Sequence, residues 1–207
     1  MDISKRLVSL DAFRGLTIAA MILVNNPGSW STIYGPLKHA AWHGWTPTDL
    51  IFPFFLFIVG VAIVFAFSSR LEKGVEKKQL YGKIVRRTLI LFGLGLLLSL
   101  FPYFEFAHMR IPGVLQRIAL VYLFASIIVL HTGIRAQVGI TVGILVLYWI
   151  LMTQIPVPGY GAGILEKEGN LAQYIDQLIL SGHMWSQSKT WDPEGLLSTL
   201  PAIATGI

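Results

Sequence analysis

Apolar residues in this chain run together in stretches long enough, or nearly long enough, to cross a lipid bilayer, and the polar residues gather between them. A membrane-crossing helix needs roughly 20 mostly apolar residues, because the hydrocarbon core is about 30 Å thick and each residue rises about 1.5 Å. The clearest stretch is 48–67, with Asp49 at its start and no other charge. Spans near 85–101, 114–130 and 137–152 have shorter apolar cores that draw on flanking residues. The first span, near 7–25, is unusual: its apolar run 15–24 is too short alone, so 7–14 must enter the membrane, and Asp11 and Arg14 with it. A further run opens at Leu196 and breaks off at Ile207. The pattern predicts an all-α, polytopic bundle of five spans plus the start of a sixth, one domain over 1–207 that is the front part of a longer one. A polar external loop over 153–195 separates the last two runs.

Composition agrees with this reading. Of the 207 residues 54% are apolar and 13% charged, about half the charged fraction of a soluble domain, and mean hydropathy is +0.65. With no cysteine there is no disulfide framework, thiolate metal site or cysteine nucleophile. The net charge of +5 is a topology signal, and no nucleic-acid partner is expected. Lys5 and Arg6 precede the first span, Arg70, Lys73, Lys77, Lys78, Lys83, Arg86 and Arg87 fill the second loop, and Arg135 lies in the fourth. The intervening loops hold only Lys38, Arg110, Lys167 and Lys189. Short cytoplasmic loops keep an excess of Lys and Arg, so the N-terminus is expected in the cytoplasm, with the first helix retained and not cleaved as a signal peptide.

The densest polar cluster, 25–53, holds Asn25, Asn26, Lys38, His39, Trp42, His43, Thr46 and Asp49 between two hydrophobic helices. A histidine there can do acid–base work near neutral pH or accept an acyl group; the alternative is a solvated side chain. His39 and His43 are four apart, but Gly44 and Pro47 follow and no third ligand is near, so no metal is expected. Thr46, Pro47 and Asp49 match a helix-capping sequence. Pro53, however, cannot donate to the Asp49 carbonyl, and an opened first turn is a place where polar groups bind a ligand. Asp11 and Arg14, three apart, suit an ion pair. Arg110, Gln116 and Arg117 gather around a Pro112-Gly113 break at the head of the fourth span. Two arginines and a glutamine suit a phosphate or a polar sugar, against the alternative that Arg117 snorkels to the surface. Gly139 and Gly143 suggest close helix packing. Asn170 is a plausible N-cap for a helix with Leu171, Tyr174, Ile175 and Leu178 on one stripe.

Several blocks carry a resemblance. Ser9-Leu10-Asp11-Ala12-Phe13-Arg14-Gly15, Val24-Asn25-Asn26 and Lys38-His39-Ala40-Ala41-Trp42-His43-Gly44 resemble the transmembrane acyltransferases related to heparan-alpha-glucosaminide N-acetyltransferase. So do Asp49-Leu50-Ile51-Phe52-Pro53-Phe54-Phe55, the run from Arg110 to Arg117, and Trp191-Asp192-Pro193-Glu194-Gly195. The resemblance implies transfer of acetyl from cytoplasmic acetyl-CoA to the amine of an external amino sugar. It places the active histidine on His39 and an active-site asparagine on Asn25; Asn26, Asp49, Arg110, Gln116 and Arg117 are expected to shape the substrate pocket. The expected partners are the amino-sugar acceptor and the lipid bilayer, with a homodimer left open; in a bacterium the inner membrane is the expected location. An amino-sugar transporter without acetyl transfer is the rival reading, and a non-catalytic scaffold the third.

Overall fold

The computed structural model describes residues 7–207. Lys5 and Arg6, which contribute to the expected orientation, lie outside the described residues. The chain forms helices α1 (Val8–Asn25), α2 (Ile51–Glu72), α3 (Lys77–Leu100), α4 (Val114–His131), α5 (Ile134–Gln154), α6 (Leu171–Leu180) and α7 (Thr199–Thr205), with short 3-10 turns at Gly35–Leu37, Pro47–Leu50 and Phe106–His108. Among the described residues there is no β-strand, only an isolated bridge between Val157 and Gly161.

Four helical stretches are long and apolar enough to cross a bilayer: Val8–Asn25, Pro47–Glu72, Val114–His131 and Ile134–Gln154. The protein is thus a helical membrane bundle, with four such stretches among the described residues where five spans plus the start of a sixth were expected. The expected third span falls in the second half of α3, whose first half carries Lys77, Lys78, Lys83, Arg86 and Arg87. The run from 196 contains α7.

Helix α4 is the hub. Ile118, Val121, Tyr122 and Ala125 are buried against Leu56, Ile63 and Phe67 of α2, Leu80 and Ile84 of α3, and Ala202 and Ile203 of α7. Gly60 of α2 lies so close to α7 that a Cβ there would sit 2.6 Å from the Gly206 carbonyl oxygen. The small residues expected to pack, Gly139 and Gly143, do not: both open onto empty space on α5, which has no buried residue among those described. Its exposed Val138, Val142, Val146 and Trp149 form an apolar surface suited to lipid, as do Leu89, Leu94, Leu97 and Leu98 of α3.

Helix α1 leans on α2 through Phe13 and Phe54, whose ring centroids are 5.4 Å apart, and the expected ion pair forms, with Arg14 Nη1 3.3 Å from Asp11 Oδ1. The chain reverses between α2 and α3 at Gly74, where φ is +76°, a conformation that favours glycine. At 22 residues, α2 separates this basic turn from Asp49 by roughly 33 Å.

Candidate active site

The head of α2 is built by its own sequence. Pro47 begins the 3-10 turn without leaving an unsatisfied N–H, and Asp49 Oδ2 accepts from the Thr46 backbone N–H (2.8 Å). The same oxygen accepts from the Ala40 N–H at 3.1 Å, and the Thr46 hydroxyl lies 2.6 Å from the Lys38 carbonyl. The loop 38–46 is thereby tied to the helix head. Asp49 Oδ1 is left for a different partner, His39 Nδ1, at 2.6 Å. A carboxylate only accepts, so the proton of this bond belongs to Nδ1, and Nε2 keeps its lone pair. The His39 side chain is 68% exposed and Asp49 26%, so the imidazole is held from behind and open in front. Beside the pair, an apolar pocket of about 210 Å³ is lined by Phe13, Thr17, Val24, Leu37, Thr48 and Phe54.

The rest of the loop docks on the segment after α5. Trp42 donates its indole N–H to the Leu165 carbonyl (2.7 Å) and sets its ring edge-on to Trp191, with centroids 5.4 Å apart; Trp191 meets Trp185 at 5.7 Å. His43 turns to Glu166, 3.1 Å away, so the two histidines diverge.

Beyond the tryptophans lies a part-buried ionic network. Arg110 grips Asp192 with Nε and Nη2, at 2.9 and 2.6 Å, and Nη2 also bonds Glu194. Arg117 donates to the Gly195 carbonyl at 3.1 Å and to the Ser198 hydroxyl. Asp176 accepts from the Leu196 N–H at 2.9 Å, and Gly195 packs so tightly on it that a Cβ would lie 1.9 Å from Oδ2. Arg117 is buried, 9% exposed, and does not snorkel. Arg110 is not a free cation, because Asp192 and Glu194 already bind it.

Burial raises the pKa of Asp176 from 3.8 to about 6 and also raises that of Glu194, against the pull of Arg110 and Arg117. Burial opposes the charge on Arg110, but Asp192 and Glu194 outweigh it and raise its pKa. The folded chain therefore holds a proton on Asp176 that an unfolded chain releases near pH 3.8. The stabilisation is full below that pH and is lost as pH rises through about 6. The thermal midpoint of the detergent-solubilised protein is expected to fall between pH 4 and 7. Asp176→Asn is expected to remove part of that fall, leaving the part due to Glu194; an unchanged pH profile would contradict this.

Of the residues singled out by sequence, His39 and Asp49 come together, and Arg110 and Arg117 share the ionic network. Gln116 is buried in the first turn of α4. Asn25, the last residue of α1, is exposed, and among the described residues no hydrogen bond joins it to His39. Asn26 Nδ2 donates to the Ile22 carbonyl at 2.8 Å, closing the end of α1. Asn170 caps α6 as expected, accepting from the Gln173 N–H. The inward face of α6 is Leu171, Gln173, Asp176 and Leu180, however, and Leu178 is 71% exposed. Sequence reasoning gave no site role to Asp176, Asp192, Glu194 or Ser198; the signal available was the acidic Asp192-Pro193-Glu194 motif in a chain poor in carboxylates.

A profile of the family described as heparan-alpha-glucosaminide N-acetyltransferase, catalytic, matches residues 6–166. The chain is 32% identical to the heparan-alpha-glucosaminide N-acetyltransferase of Mus musculus over 247 aligned positions, which cover 97% of this chain and 37% of that protein. It is 33% identical to the Homo sapiens protein of the same name over 245 positions, covering 96% and 36%. The chain thus spans little more than a third of the length of these relatives.

Proposed function

Because the chain belongs to the heparan-alpha-glucosaminide N-acetyltransferase catalytic family, we propose that it supplies the imidazole side of a transmembrane acetyltransferase acting on an external amino sugar. The donor is cytoplasmic acetyl-CoA and the acceptor a glucosamine-like amine. The N-terminus lies on the cytoplasmic side, and the membrane is the plasma (inner) membrane if the source is bacterial. The observation that carries this reading is the 2.6 Å bond from His39 Nδ1 to Asp49, which leaves Nε2 as an open base.

In the proposed step the amine nitrogen attacks the thioester carbonyl while Nε2 takes its proton. The N–C bond forms, the C–S bond breaks with its electron pair going to sulfur, and the imidazolium returns the proton to the departing thiolate. Nε2 is also the nitrogen that would carry acetyl if transfer went through an acetyl-histidine. Asn25 is assigned to the oxyanion or to steadying the imidazole, and Asn26 to the rim of the same pocket. Asp49 acts through His39 as a positioning residue.

The opened helix head and the part-buried ionic network also suit passage of a polar solute, so one assay separates the two readings. The full-length protein, given labelled acetyl-CoA on one side and glucosamine on the other, is expected to place label on the sugar. Sugar uptake with no labelled product would overturn acetyl transfer and favour transport.

A further inference from the structure

Gln116 is 4% exposed, and its Nε2 has no hydrogen-bond partner. An unmatched amide N–H in the first turn of a membrane helix is costly, and the chain has made room for it. A Cβ on Gly95 would lie 2.3 Å from Gln116 Oε1, and one on Gly113 2.6 Å from the same atom, so glycine at both positions creates the slot that holds the side chain. Gln116 borders a cavity of about 360 Å³ at the junction of α3 and α4, shared with Leu98, Ser99, Arg110, Pro112 and Val114. The Ser99 hydroxyl spends its proton on the Gly95 carbonyl at 3.1 Å, leaving its oxygen as an acceptor. Arg110 offers no free positive charge, since Asp192 and Glu194 bind it. Leu98, Pro112 and Val114 make the remaining wall apolar.

We infer that this cavity binds an uncharged secondary amide, whose carbonyl accepts from Gln116 Nε2 and whose N–H donates to Ser99 Oγ, with the flanking carbons on the apolar wall. This narrows the phosphate or polar sugar suggested by Arg110, Gln116 and Arg117 to an uncharged ligand. Two sources of such an amide follow from acetyl transfer and rest on that reading: the pantetheine arm of the thioester donor, and the N-acetyl group of the product sugar. The pocket chemistry itself rests only on the structure.

The test is direct binding to the full-length protein in lipid nanodiscs, with pantetheine and N-acetylglucosamine as probes and inorganic phosphate as competitor. The wild type is expected to bind at least one amide probe without competition from phosphate. Gln116→Leu is expected to weaken that probe about tenfold, and Val114→Phe, which fills the cavity from its exposed rim, to abolish it. Loss for pantetheine alone names the donor arm as occupant, loss for N-acetylglucosamine alone names the product, and loss for both supports the shared amide chemistry. Val114→Phe decides the matter should Gln116→Leu fail to fold. No binding of either probe at millimolar concentration, displacement by phosphate, or undiminished binding by Val114→Phe overturns the inference. Because binding is read and not turnover, a protein that binds amides but transfers no acetyl overturns only the proposed activity.

Discussion

Replacing His39 with alanine is expected to lower acetyl transfer to glucosamine by roughly 10³–10⁴-fold, because the reaction then has neither a base nor an acyl carrier at the amine. Asp49→Asn is expected to cost roughly 10²–10³-fold through a different route. An asparagine can donate its amide N–H to Nδ1, which moves the imidazole proton to Nε2 and removes the lone pair the reaction needs. Asp49 also caps the head of α2, holding the Thr46 and Ala40 N–H groups, so about 1 kcal/mol of stability should go with it. Kinetics per folded molecule separate the two roles. If Asp49 is only a cap, the variant melts earlier but turns over normally; if it orients His39, kcat falls while the KM for acetyl-CoA holds.

The second large effect is on stability. Asp192 has no exposed side-chain surface, and each of its oxygens takes two bonds. Oδ1 accepts from Arg110 Nη2 at 2.6 Å and from the Glu194 N–H at 3.0 Å. Oδ2 accepts from Arg110 Nε and from the Trp185 N–H, both at 2.9 Å. Asp192→Ala strips these donors and leaves Arg110 with Glu194 alone, at a cost of about 3–5 kcal/mol. That is a large share of the stability of a typical fold, so the yield of monodisperse protein should collapse. Arg110→Met combined with Asp192→Leu and Glu194→Gln is expected to recover much of the loss, because it removes the guanidinium together with both carboxylates that bind it. Thermal midpoints of the single and triple variants check this, and a near-neutral Asp192→Ala would show that the network contributes little.

Much of this arrangement is legible in the sequence where chemistry is local. The capped head of α2 follows from Thr46, Pro47 and Asp49, the α6 cap from Asn170, and the ion pair in α1 from the spacing of Asp11 and Arg14. What escapes is set by contacts far apart in the chain. Nothing near Arg110 announces that Asp192, eighty-two positions later, will neutralise it. Gly139 and Gly143 have the spacing of a packing motif, yet the close approach occurs between Gly60 and Gly206, where the sequence shows no such pair. The charged first half of α3 defeats a count of spans because the helix runs unbroken from a basic turn into an apolar end. His39 and Asp49 were each visible as candidates, but their bond depends on the path of the loop between them, held by Thr46 and Lys38.

The central claim is that the His39–Asp49 pair and the basic turn between α2 and α3 face opposite sides of the bilayer, so that acetyl must cross. Single cysteines introduced by Trp45→Cys and Lys73→Cys into an otherwise cysteine-free full-length protein test it, using a membrane-impermeant maleimide on intact cells. Labelling at position 45 in intact cells, and at position 73 only after permeabilisation, is the predicted result. Labelling of both from the same side, or with the pattern reversed, would contradict it.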